Sequence, residues 1–117
     1  QIIDPAMLEM QCQGGIGSAS LDTAIYEEHI IDPATKRPLT YNMIEYKWRP
    51  FNDFPEYQTS ILESQFDTFQ FKAVGVGEIA GAAAASAAMQ AISNAIGVQV
   101  STYPAAPDVI LKALGKL

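Results

Sequence analysis

The residues best suited to chemistry lie in a turn at 75–78, which reads Gly-Val-Gly-Glu. Gly75 and Gly77 permit backbone angles closed to other residues and allow another group to approach the main chain. Glu78 supplies a carboxylate that could act as a general base. We predict that Glu78 lies in the first turn of a helix, where free N–H groups and the helix dipole favour negative charge. Acidic residues are also common there for stability alone, so these residues leave both interpretations open.

The helix expected after this turn spans residues 79–96 and ends at Gly97, a normal C-terminal stop. Alanine occupies many of its positions and none is charged, which predicts burial on nearly all sides. A membrane span is not expected, because the run is only weakly apolar and is interrupted by Ser86, Gln90, Ser93 and Asn94. The small side chains favour close packing against another backbone or a large cofactor.

A second long helix is predicted over residues 5–27. Asp4 can cap it and Pro5 suits its first position. Three glycines within four residues, Gly14, Gly15 and Gly17, each weaken a helix by roughly 1 kcal/mol relative to alanine. Close approach of a ligand or another helix is the usual reason for such a cluster.

The segments between and after these helices predict an α+β fold with two longer helices and short strands between them. Extended stretches are expected at 26–31, 39–48, 57–62 and 98–101, and a short helix at 108–114. A length of 117 residues leaves room for one domain at most. Because the sequence opens on Gln1 and reads as mid-domain sequence, we expect a portion of a longer subunit.

Composition argues against several functions. Thirteen acidic and seven basic residues give a net charge of −6, which repels phosphate backbones, so no nucleic-acid partner is expected. One cysteine excludes an internal disulfide and a cysteine cluster for zinc or iron–sulfur. With one histidine, a histidine-based metal site or a serine–histidine triad would have to be completed from elsewhere. Residues 1–20 do not resemble a secretory signal, so the expected location is cytoplasmic.

Residues 75–80 also match the loose G-x-G-x-x-A form of the dinucleotide fingerprint. Glu78 would place a negative charge beside the phosphate, and the segment after the helix lacks an acidic residue to hold a ribose. Nucleotide binding is therefore the weakest of the alternatives.

One ordered set of residues resembles a known family. It comprises Gln11, Gly14-Gly15, Glu27-Glu28, Tyr46, the run from Lys72 to Glu78, and Pro104-x-x-Pro107. Together they look like the C-terminal part of the molybdopterin-binding subunit of the xanthine oxidase and aldehyde oxidoreductase family. The resemblance covers nearly the whole chain, and the glycine-glutamate turn is its most specific element.

The resemblance implies a molybdenum hydroxylase acting on an aromatic N-heterocycle or an aldehyde with water-derived oxygen. In that family the glutamate matched by Glu78 acts as general base. Gln11 matches a glutamine that hydrogen-bonds the pterin, and Gly14 and Gly15 let the cofactor approach. The main chain of Gly75, Val76 and Gly77 would approach the metal centre. The metal is held through the pterin dithiolene, so no protein metal ligand is expected.

The resemblance also implies partners. The cofactor is molybdenum–molybdopterin, with the cytosine dinucleotide as one form, and iron–sulfur clusters and FAD are expected on other domains or subunits. The other expected partners are the remainder of the molybdenum subunit and a small-molecule substrate. Three departures are Met10 in place of glycine, Ile79 in place of the common proline, and the missing threonine in Pro104-x-x-Pro107. A non-catalytic assembly module that has lost the cofactor remains the alternative.

Overall fold

A computed structural model describes residues 1–63 and 68–117. It begins with one continuous helical stretch composed of α1 (Pro5–Gly14), a π-helical segment (Gly15–Leu21) and α2 (Asp22–Ile25). The Asp4 carboxylate accepts a hydrogen bond from the Met7 N–H at 3.0 Å, and Pro5 occupies the first turn. The predicted start is confirmed, and the helix ends two residues before the predicted boundary.

The alanine-rich helix, α3 (Ala84–Ile96), ends at Gly97, whose φ of 72° is left-handed as a glycine stop requires. Its start lies five residues later than predicted. The prediction that it is buried on nearly all sides is wrong for this chain, because one face packs on the N-terminal helix while Ser86, Gln90 and Asn94 are exposed. Among residues 1–63 and 68–117, none of the helices combines the length and the hydrophobicity that a membrane span requires.

The short C-terminal helix is confirmed. It is α4 (Pro107–Ala113), with Pro107 in its first turn and Asp108 and Lys112 forming an exposed pair one turn apart. Gly115, with φ 66°, follows its end.

The predicted strands are not found in residues 1–63 and 68–117. These residues contain one isolated bridge, between Ile31 and Pro38, and a single 3₁₀ turn at Phe51–Asp53. The stretches at 26–31, 39–48, 57–62 and 98–101 are otherwise irregular. A strand needs a neighbour to accept its main-chain hydrogen bonds, and none of these stretches pairs with another along its length.

A small core joins the helices. Ala24, Met89, Val100 and Ala105 are buried together. The Ala105 N–H donates to the Ala24 carbonyl at 2.8 Å, which fixes the C-terminal segment against α2. Residues 98–106 thus tie α3 and α4 to the N-terminal helix.

Much apolar surface stays exposed. The accessible area is 8688 Å², against about 6200 Å² expected for a compact protein of this mass. The radius of gyration is 18.0 Å, whereas a compact domain of this length has about 13 Å. Large side chains such as Ile44, Leu62 and Phe51 are almost fully exposed. The chain therefore has more apolar surface than it can bury by itself.

Candidate functional site

The turn that carries Glu78 is held by the N-terminal helix. The side-chain amide of Gln11 donates to the Gly77 carbonyl at 2.5 Å. In an α-helix that carbonyl would accept from the Gly81 N–H, but this N–H instead donates to the Glu78 carbonyl at 3.1 Å. Residues 77–83 consequently form turns, and regular helix begins only at Ala84.

Glu78 therefore does not lie in the first turn of α3, and that prediction is corrected. Its side chain is exposed. The helix dipole falls off within one turn, so α3 contributes little to the carboxylate six residues ahead of it.

A second pair of contacts holds the far end of the turn. The Ser20 hydroxyl donates to the Gly81 carbonyl at 2.5 Å. A Cβ added to Gly15 would lie 3.0 Å from the Ala80 Cβ and 3.1 Å from the Gly81 nitrogen. Gly15 thus permits close approach, as expected, but here the approaching group is the Glu78 turn.

The remaining predicted glycines border open space. A Cβ at Gly14, Gly75 or Gly77 would meet no atom within 4 Å. Neither Gly75 nor Gly77 has a left-handed φ, so this turn does not use the additional backbone angles that glycine permits. The uncovered main chain at these glycines leaves room for a large group to approach the turn.

A largely apolar groove of about 500 Å³ lies beside the turn. Gly75 and Val76 line it together with Leu8, Cys12 and Ile79. Gln11 and Glu78 do not line this groove. The structure therefore divides the predicted site between the groove and the outer surface of the turn.

An ion pair that the sequence did not predict lies behind the N-terminal helix. Arg49 is 3% exposed and Asp22 fully buried. The arginine Nε donates to the Asp22 carboxylate at 2.7 Å, and its Nη2 donates to the Gly17 carbonyl. The guanidinium also stacks over Phe54, 4.6 Å from the ring centroid. The sequence offers one indication of this ion pair, since Asp22 is the one charged residue between Met10 and Tyr26.

Three of the residues that carry the family resemblance, Glu27, Glu28 and Tyr46, lie away from the turn and take part in two contacts there. Tyr46 is hydrogen-bonded to Glu27, and Lys47 forms a 2.8 Å ion pair with Glu28. Burial raises the pKa of Tyr46, and the charge of Glu27 and the hydrogen bond to it add to the increase. These contacts fasten the segment around Tyr46 to the end of the N-terminal helix.

The described residues also bear on protein-bound metals and on the nucleotide-binding alternative. Within the described part of the chain, no group of three or more His, Cys, Asp or Glu side chains could hold a metal ion. In those same residues no strand precedes the turn and no helix follows Gly77 directly, so the arrangement that cradles a dinucleotide phosphate is missing.

Two curated relatives are similar to this chain. They come from Escherichia coli strains K12 and O157:H7, and their names both describe a xanthine dehydrogenase molybdenum-binding subunit. Each is 28% identical over 106 residues, covering 91% of this chain and 14% of the relative. No family model matches the chain. The chain thus corresponds to about one seventh of the length of these relatives, and the similarity supports a fragment of their family.

Proposed function

We propose that this chain is a segment of the molybdenum-binding subunit of a molybdenum hydroxylase, the C-terminal portion of its cofactor-binding domain. The reaction would hydroxylate an aromatic N-heterocycle or an aldehyde. The observation that carries the proposal is the similarity to the two molybdenum-binding subunits, which extends over 91% of the chain. Glu78, in the turn, is the residue to which the proposal assigns the chemistry.

The residues proposed to hold molybdenum–molybdopterin lie on the N-terminal helix and the turn; they are Gln11, Gly14, Gly15, Gly75, Val76 and Gly77. When bound, the cofactor supplies the oxidising centre of the reaction. The open space at Gly14, Gly75 and Gly77 supports this assignment, because a flat group can contact main chain only where no Cβ intervenes. Gln11 donates one hydrogen bond to Gly77 and keeps further hydrogen-bonding capacity for a ligand.

Glu78 is the proposed general base. Its carboxylate would accept the proton of a water-derived hydroxyl as the oxygen attacks an electron-poor carbon of the substrate. This role needs a fixed carboxylate in a site that excludes water. The contacts at Gly77 and Gly81 support the fixed position, and the rest of the subunit would exclude the water.

The remainder of the molybdenum subunit is the first proposed partner. The exposed apolar side chains support this, since a chain with about 2500 Å² more surface than a compact protein of its mass leaves large patches to be covered. Iron–sulfur and flavin domains or subunits would carry electrons away. The cytoplasm is the proposed location.

A non-catalytic assembly module is the second candidate. The exposure of Glu78 favours it, because a carboxylate in water does not by itself indicate catalysis. Molybdenum analysis of the purified complete protein separates the two. The proposal expects about one molybdenum per subunit, released with a pterin on denaturation. A complete protein that carries neither would be an assembly module.

A further inference from the structure

Ser20 makes an unusual contact for a serine inside a helix. Such a hydroxyl commonly bonds back to the carbonyl four residues earlier in its own helix. Here it donates to the Gly81 carbonyl, sixty-one positions away in sequence. The residue is 9% exposed, and the contact is partly buried.

The π-helical segment explains how Ser20 reaches the turn. In a regular α-helix a residue five positions on lies about 140° around the axis, because each residue turns about 100°. The i to i+5 bonds of a π-helix lengthen the turn, so a residue five positions on returns close to the same face. Gln11, Gly15 and Ser20 are spaced by four and five, and Gly15–Leu21 is π-helical. All three consequently contact residues 77–81.

The two bonded carbonyls lie on either side of Glu78 in sequence. Gln11 holds Gly77, the residue before it, and Ser20 holds Gly81, three residues after it. The Gly81 carbonyl also accepts from the Ala84 N–H at 3.4 Å, where α3 begins. The bond from Ser20 therefore influences both the turn and the start of α3.

We propose that Ser20 is a positioning residue for Glu78, brought to the turn by the π-helical segment. It acts through the Gly81 carbonyl and does not touch substrate. The catalytic part of this inference rests on the proposed function, whereas the structural part does not. A displacement of Glu78 should lower turnover without changing substrate binding, because misplacement by about 1 Å can cost a factor of about 100 in rate.

The test is Ser20→Ala in the complete protein. Alanine suits a helix better than serine, so the helix should be retained. The control is Ser86→Ala, which removes the exposed bond from Ser86 to the Ala83 carbonyl at 3.0 Å and leaves the Gly77 and Gly81 carbonyls with their partners on the N-terminal helix. Two readouts are compared: hydrogen exchange at the amides of Gly81 and Ala84, and kcat and KM for a xanthine-like heterocycle and an aromatic aldehyde.

Ser20→Ala should speed exchange at both amides about five- to tenfold, the effect expected from one lost hydrogen bond. It should lower kcat about ten- to a hundredfold with KM unchanged, and Ser86→Ala should change neither kcat nor KM. Unchanged exchange overturns the inference, and so does faster exchange with wild-type kcat. If the complete protein contains no molybdenum, the proposed function fails separately, and the exchange measurement alone decides whether Ser20 holds the turn.

Discussion

The side-chain amide of Gln11 donates to the main-chain carbonyl of Gly77 across 66 positions of sequence, at 2.5 Å. The Gly81 N–H, which would bond to that carbonyl in an α-helix, donates to the Glu78 carbonyl instead. Glu78 thus lies in a turn ahead of the helix, held from the side by a second helix. Gln11 therefore has a structural role in addition to its proposed contact with the pterin.

The buried pair of Arg49 and Asp22 should matter far more than the exposed pair of Lys47 and Glu28. Arg49→Met leaves the Asp22 charge buried without its partner, which typically costs about 3–5 kcal/mol. Lys47→Met, the matched control, should cost at most about 1 kcal/mol. Native-state hydrogen exchange at the Ala105 amide measures the loss of stability in both variants. This amide bonds to the carbonyl of Ala24, two residues after Asp22. If the two substitutions lowered stability equally, the larger contribution expected of the buried pair would be contradicted.

Two glycines of the N-terminal helix should respond oppositely to alanine. A Cβ at Gly14 meets no atom within 4 Å, so Gly14→Ala should stabilise the helix by about 1 kcal/mol. A Cβ at Gly17 would collide with the Tyr57 hydroxyl, so Gly17→Ala should destabilise by about 1–3 kcal/mol. Urea denaturation followed by helix circular dichroism compares the two.

Removing the Tyr57 hydroxyl tests the cause of the Gly17 effect. This hydroxyl is buried and has no hydrogen-bond partner, so Tyr57→Phe should be nearly neutral. In the Gly17→Ala background the same change should recover part of the lost stability. No recovery would show that the cost arises elsewhere than at this contact.

Tyr46 should ionise at higher pH than an ordinary tyrosine. Burial is the largest cause, and it raises the pKa of Tyr46 above the usual value of about 10. The charge of Glu27 and the hydrogen bond to Glu27 raise the pKa further. Because the folded-state pKa is the higher one, the neutral phenol contributes stability that is fully present below about pH 10 and is lost as pH rises through the folded-state pKa. Ultraviolet difference titration of wild type against Tyr46→Phe isolates this group. Glu27→Gln should bring its pKa closer to the ordinary value, and a titration at or below that value in wild type would contradict the assignment.

Local signals in the sequence predicted some helix ends correctly and others not. Asp4, Pro5 and Gly97 act through their own backbone geometry, so the start of the first long helix and the end of the second could be predicted. The start of α3 could not, because it depends on the distant side chains of Gln11 and Ser20. The strand predictions failed for a similar reason, since local propensity does not supply a partner for the main chain.

The way in which the N-terminal helix holds the turn could not be predicted from the sequence. Gln11 and Gly15 both contact residues 77–81, yet the π-helical segment that brings Ser20 to the same turn has no signature in the spacing of apolar residues. The pairing of Arg49 with Asp22 is equally invisible to periodicity, because it joins a helix to an irregular segment 27 positions away.

The most direct test of the central claim is Glu78→Gln in the complete protein, with Glu56→Gln as an exposed-carboxylate control. Because both side chains are exposed, neither change should disturb folding. We expect Glu78→Gln to keep the molybdenum content of wild type and to lose turnover by a factor of about 100 to 10,000, the usual contribution of a general base. Glu56→Gln should keep full turnover. Wild-type turnover in a molybdenum-loaded Glu78→Gln protein would contradict the role assigned to Glu78.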